Sequence, residues 1–122
     1  MRPTLPGLAL LAAVTLAPAV PAAAAENGNG ARRFEHALKA GDIAEECVRL
    51  EKGRSRAFEW KSDVPVDFNI HFHQGDKVTY PVKADGQAKG QGRFKAAIGE
   101  DYCWMWTARS PARVTGSLAA EE

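Results

Sequence analysis

The chain has 122 residues, 45% of them hydrophobic and 25% charged, with a formal net charge of +1. That length suits one domain of roughly 100 residues behind a leader, and the balance of charge excludes an electrostatic case for nucleic acid or an anionic membrane surface. The two cysteines are not spaced as Cys-x-x-Cys, which excludes thioredoxin-type redox chemistry.

The N-terminus reads as a cleavable secretory signal over residues 1–25. Arg2 is its positive end, Leu8 to Leu16 its apolar centre, and Ala22 to Ala25 the small residues a signal peptidase reads, with cleavage after Ala25. The apolar run is too short for a permanent span, so no integral membrane anchor is expected once the signal is removed, and the destination is periplasmic or extracellular. Loss of Arg2 leaves equal numbers of basic and acidic residues in the mature chain. In an oxidising compartment Cys47 and Cys103 are expected to form a disulfide, the alternative being two buried thiols.

Residues 26–44 are expected to be a flexible leader followed by a short helix. Phe34, Ala37 and Leu38 share a helical face and Gly41 would end it. Residues 45–122 then break into short β-like segments separated by Gly, Asp and Pro, about seven strands in all. Glu45 to Leu50 carries Cys47; Ser55 to Lys61 carries Phe58 and Trp60; Ser62, Asp63 and Pro65 mark a turn. Val66 to Gln74 is the clearest strand, because Val66, Phe68, Ile70 and Phe72 alternate with Asp67, Asn69, His71 and His73. Gly75 and Asp76 make a hairpin turn into Lys77 to Lys83, where Val78, Tyr80 and Val82 share a face and Pro81 requires an edge strand or a bulge. Ala84 to Gly92 reads as a loop; it lacks the Gly-Lys-Ser/Thr ending of a phosphate loop. Arg93 to Ile98, Tyr102 to Thr107 and Val114 to Leu118 complete the set, and Ala119 to Glu122 is expected to fray. The fold class expected is all-β, an antiparallel β-sandwich of jelly-roll type.

Three stretches, Cys47-Val-Arg-Leu-Glu-Lys-Gly53, Val66 to Tyr80 and Gly99-Glu-Asp-Tyr-Cys-Trp-Met-Trp106, give the order of segments a further meaning. From Cys47 to Leu118 the chain resembles the GOLD (Golgi-dynamics) domain, the β-sandwich of luminal cargo receptors. The resemblance implies a stand-alone exported sandwich with a generic binding role, and a disulfide between the first and last cysteines. On the usual register of the last strand the cysteine would fall at Met105; here it lies two residues earlier, on the same face, at Cys103.

Chemistry is concentrated on Val66 to Gln74. Asp67, Asn69, His71 and His73 project from one side, with each about 6.6 Å from the next along the strand. A His-x-His pair at that spacing suits copper or zinc, with the third ligand supplied by Asp67, His36 or a neighbouring strand. The plainer reading is a solvated polar face. Met105 beside the histidines fits core filling better than copper ligation. Trp60, Trp104 and Trp106 alternate with core positions, which favours packing over an exposed aromatic platform. Ser55, Ser62, Ser110 and Ser117 lie in no nucleophile elbow, and the carboxylate pairs Glu45-Glu46 and Glu100-Asp101 sit where solvated charges are ordinary, so no enzyme is expected.

Two functions of different class follow. The first is a non-enzymatic binding or accessory module for a protein or peptide partner, acting through a sheet face marked by Asn69, Trp104 and Trp106 or through an open edge strand. The second is a periplasmic copper- or zinc-binding protein using His71, His73 and Asp67. No other cofactor is expected.

Overall fold

A computed structural model describes residues 2–3, 12–13 and 28–122. The expected signal peptide and the first two residues of the leader lie outside that range, apart from those four isolated residues. Six strands follow in order: β1 (Arg32–Leu38), β2 (Ile43–Leu50), β3 (Ser55–Gln74), β4 (Lys77–Lys95), β5 (Glu100–Ala108) and β6 (Ala112–Leu118). All pairings are antiparallel, in the order β1-β6-β3-β5-β2, with β4 on the other edge of β3. No helix occurs among the described residues.

β3 organises the molecule. Its first part pairs with β6 and its second part with β5, while β4 runs along the opposite edge through both parts. The expected turn at Ser62, Asp63 and Pro65 is instead a shift of register inside one continuous strand. The reason lies in the alternation: Phe58, Trp60, Val64, Val66, Phe68, Ile70 and Phe72 keep even parity through the region and all join the core. A period of two that survives across Pro65 keeps every one of these side chains on the same face. The sheet therefore curls rather than stopping, and its two halves pack their inner faces together. Phe34 of β1 lies 4.7 Å from Trp106 of β5 between ring centroids, and Phe94 of β4 lies 4.8 Å from Tyr102.

The N-terminal helix is not formed. Residues 32–38 are an edge strand paired along its whole length with β6. The same letters that place Phe34, Ala37 and Leu38 on a helical face also place Arg32, Phe34, His36 and Leu38 on one face of a strand. Burial of Phe34 against Trp106 decides between the two. The edges of β1 and β2 meet through side chains: Arg32 Nη1 donates to Glu46 Oε2 at 3.1 Å, and His36 Nε2 lies 3.0 Å from Glu46 Oε1.

The expected loop at Ala84 to Gly92 is also strand, the middle of β4. Glycine is a poor strand former by itself. Here Gly90 and Gly92 lie opposite Trp60 and Phe58, whose rings fold over the neighbouring backbone. A Cβ on Gly90 would meet the Trp60 ring, 2.8 Å from Cε2. Covering glycines with cross-strand aromatics offsets their weakness. Pro81 does sit on an edge strand at a bulge: Ile70 pairs with Val82 and Phe72 with Thr79, so β4 carries one extra residue there. That slip separates the three residues expected on one face. Val82 packs on the core, whereas Tyr80 is exposed beside His71.

The tail does not fray. Glu122 and Ser55 exchange backbone hydrogen bonds at 2.9 Å, and Ala119 N donates to Ala57 O at 2.8 Å. Arg56, fully buried, donates from Nη1 to Gly30 O at 2.8 Å and to Ala119 O at 3.0 Å, and from Nη2 to Gly28 O. Its guanidinium thus holds the start and the end of the described domain against β3. Desolvation lowers its proton affinity, while Glu121 nearby favours the charge.

Candidate functional site

Odd-numbered residues of β3 face outward, so Asp67, Asn69, His71 and His73 do share a side. Their surroundings divide them. The Asp67 carboxylate is gripped by Arg109, at 3.0 Å from Nε and 2.6 Å from Nη2, and accepts the Gly86 N–H at 2.9 Å. The Arg109 hydrogen bonds hold Asp67 below the usual carboxylate range. Asp67 is therefore committed at the Arg109 end of the strand. His36, the other expected source of a third ligand, is on β1 and engages Glu46.

His71 is only 3% exposed although it stands on the outer face. Asn69 Oδ1 accepts from its Nδ1–H at 2.8 Å, and Nε2 lies 3.5 Å from Glu45 Oε1 of β2. The ring also meets His73 at 5.1 Å and Tyr80 at 5.8 Å. Its direct partner across the ladder is Cys103. Desolvation lowers the imidazole's affinity for a proton below the ordinary value of 6.5; Glu45 opposes the shift and His73 adds to it. The unfolded chain then binds more protons than the folded one below that value, so stability falls as pH drops through 6.5 toward the folded pKa. The expected result is a melting temperature that declines from neutral to mildly acid pH, with a shallower decline in His71→Gln. Thermal melts of the two proteins across that window check it; parallel curves would remove His71 as the cause.

The three residues expected to mark a binding face are split by the sheet. Asn69 is outward, whereas Trp104 and Trp106 are 0% exposed and form the inner face with Trp60 and Phe68. The tryptophans are core because β5 lies between β3 and β2 and its even side chains face the opposite half of the curled sheet. Met105 is not core filler but half-buried on the outer face, with Asn69 and Glu45 as its ladder partners.

The Cys47–Cys103 disulfide is formed. It joins direct partners of the β2–β5 ladder on the outer face, where Cys47 is exposed and Cys103 half-buried.

A second outward surface was not visible in the sequence. Across β1, β6, β3 and β4 runs an open groove of about 750 Å³. Two ladder rows build it. One carries Arg33, Ser117, Glu59 and Gln91; the next carries Thr115, Lys61 and Lys89, with Glu35 at its far end outside the groove lining. Arg113 pairs with Glu35. Lys61 and Lys89 stand directly opposite each other, and neither has an ion-pair partner among the described residues. Like charges directly opposite on a ladder are destabilising. The signal that would have found this site is the register of Gly90 and Lys89 against Trp60 and Lys61, which exists only once residues 84–92 are read as strand.

No protein-family model matches the chain. No curated protein matches it either. Among solved structures it is similar to that of Aeromonas hydrophila PliG, a periplasmic lysozyme inhibitor of g-type lysozyme. The two share 16% identity and a TM-score of 0.49, over 75% of this chain and 88% of that one.

Proposed function

We propose that the protein is an exported, non-enzymatic binding module that holds an acidic segment of a protein partner in the groove across β1, β6, β3 and β4. The observation that carries this reading is the unpaired Lys61–Lys89 couple. A fold that places two cations side by side without a counter-charge gives up stability there, and an anionic ligand restores it. Arg33 at the groove's other end extends the positive surface, Glu59 sets one position against a base, and Ser117, Thr115 and Gln91 supply hydrogen-bond groups. The free edge of β4 borders the groove, where an extended partner chain can also add main-chain hydrogen bonds. Export is supported by the disulfide, which persists in oxidising compartments, and no helix among the described residues is long and apolar enough to cross a membrane. The sequence resemblance to the GOLD domain also implies a generic binding role.

The test is Lys89→Glu, read in two ways. Opposite charges on the ladder should raise stability by about 0.5 kcal/mol in urea unfolding. The same change should weaken binding of a fluorescein-labelled decaglutamate peptide at low salt by at least tenfold, measured by anisotropy. A wild-type protein with no affinity for that peptide, or a variant that binds it equally well, would sink the proposal.

A further inference from the structure

The outer face holds a second cluster, built from three strands and independent of the groove. Glu45 and Cys47 come from β2, Cys103 from β5 and His71 from β3. A Glu45 carboxylate oxygen and the two sulfurs all lie within 4.8 Å of one another. His71 Nε2 lies 3.5 Å from Glu45 Oε1. Because Asn69 Oδ1 accepts a hydrogen bond from Nδ1–H at 2.8 Å, the neutral imidazole keeps its proton on Nδ1 and turns the Nε2 lone pair toward that carboxylate. Two acceptors facing each other at this distance leave a place that a cation fills.

We propose that, with the disulfide reduced, these four side chains form a Cys₂-His-Glu site for a thiophilic divalent cation of the zinc type. The donor set is the tetrahedral mixture of thiolate, imidazole and carboxylate that zinc accepts. With metal–ligand bonds of about 2.0–2.3 Å, tetrahedral donors stand roughly 3.5 Å apart; His71 already stands at that distance from Glu45, whereas the group within 4.8 Å holds only Glu45 and the two sulfurs, so the imidazole has to swing toward the sulfurs when the cation binds. Asn69 is the outer partner that fixes a metal-bound imidazole's orientation. In the oxidised protein the sulfurs are bonded to each other and offer no thiolate, so the site is closed. Opening it breaks the Cys47–Cys103 S–S bond. A dithiol donor supplies two electrons and two protons, becoming a disulfide itself, and the two thiol protons leave when the cation binds. Cys47 is exposed and within a donor's reach. Asp67 and His73 are not needed, which separates this site from the His-x-His pattern of β3.

The experiment is anaerobic titration of the purified protein with Co(II), before and after reduction by a phosphine, with circular dichroism followed throughout. The expected result is one cobalt per reduced chain, a thiolate-to-cobalt charge-transfer band, displacement by zinc, and no such band in the oxidised protein. His71→Ala and Glu45→Gln are each expected to weaken cobalt at least tenfold. A reduced, folded protein that binds no cobalt overturns the proposal, and so does cobalt affinity unchanged in both variants. If reduction alone unfolds the chain, zinc should restore the sheet spectrum in the wild type and fail to do so in the two variants; failure in the wild type also overturns it.

Discussion

Replacing Gly116 with valine is expected to remove at least about 3 kcal/mol of stability, and with it the pairing of β1 onto the sheet. Gly116 of β6 lies between Phe34 of β1 and Trp60 of β3 in the ladders. A Cβ there would collide with the Glu59 carbonyl oxygen and stand 2.6 Å from Phe34 Cζ and 2.8 Å from Trp60 Cβ. The first of these atoms is backbone inside a paired strand and has nowhere to go. Relief would need β6 to draw away from β3, which breaks hydrogen bonds and opens the aromatic layer. Urea unfolding with near-ultraviolet circular dichroism reads both effects. The adjacent Ser117→Ala, half-buried on the outer face, should stay within about 0.5 kcal/mol and serves as the control. A Gly116→Val protein as stable as wild type would mean that the close approach of β6 to β3 is wrong.

The second large effect is expected from the disulfide. Cys47 and Cys103 are 56 residues apart in sequence. Closing a loop of that length restricts the unfolded chain by about 4 kcal/mol in the chain-entropy account. Domains of this size have total stabilities of about 5–15 kcal/mol, so the Cys47→Ser, Cys103→Ser double variant should lose a large share of its margin. The expected signature is a lower urea midpoint with the native spectrum retained in dilute buffer. An unchanged midpoint would show that the bond is incidental to stability. The same loss sets the scale for metal binding to the reduced protein. A cation present at about 1,000 times its dissociation constant returns about 4 kcal/mol by mass action, so metal can replace the bond thermodynamically.

How legible the molecule was depends on which signals are local. The alternation from Val66 to Phe72, the turn at Gly75 and Asp76, the pairing of Cys47 with Cys103 and the irregularity at Pro81 are all present in the structure. Each is encoded within a few residues or by the absence of other partners. Where sequence and structure differ along the strands, the deciding residues lie across the ladder. The helical spacing of Phe34, Ala37 and Leu38, the glycines at 90 and 92, and Pro65 are local signals, whereas the conformation there is set by what lies across the ladder. Trp60 and Phe58 turn a glycine-rich run into strand, Trp106 turns a helical pattern into an edge strand, and the even parity of β3 carries it past Pro65. The sites follow the same division. The outward direction of Asp67, Asn69, His71 and His73 was legible; the capture of Asp67 by Arg109, 42 residues away in sequence, and the approach of Glu45 to His71 were not. The Lys61–Lys89 couple required the register of β4 and stayed hidden for that reason.

The buried guanidinium of Arg56 has a topological consequence. It binds Gly28 and Gly30 at one end of the domain and Ala119 at the other, and Glu121 N donates to Asn29 O at 2.9 Å. The ends of the folded unit are thus neighbours, clasped around one side chain. A short peptide linker joining them would leave the sheet undisturbed, so the chain is suited to circular permutation, with new ends opened at the exposed Gly75–Asp76 hairpin. By the same geometry, a cargo fused at either end would emerge from a single corner of the molecule.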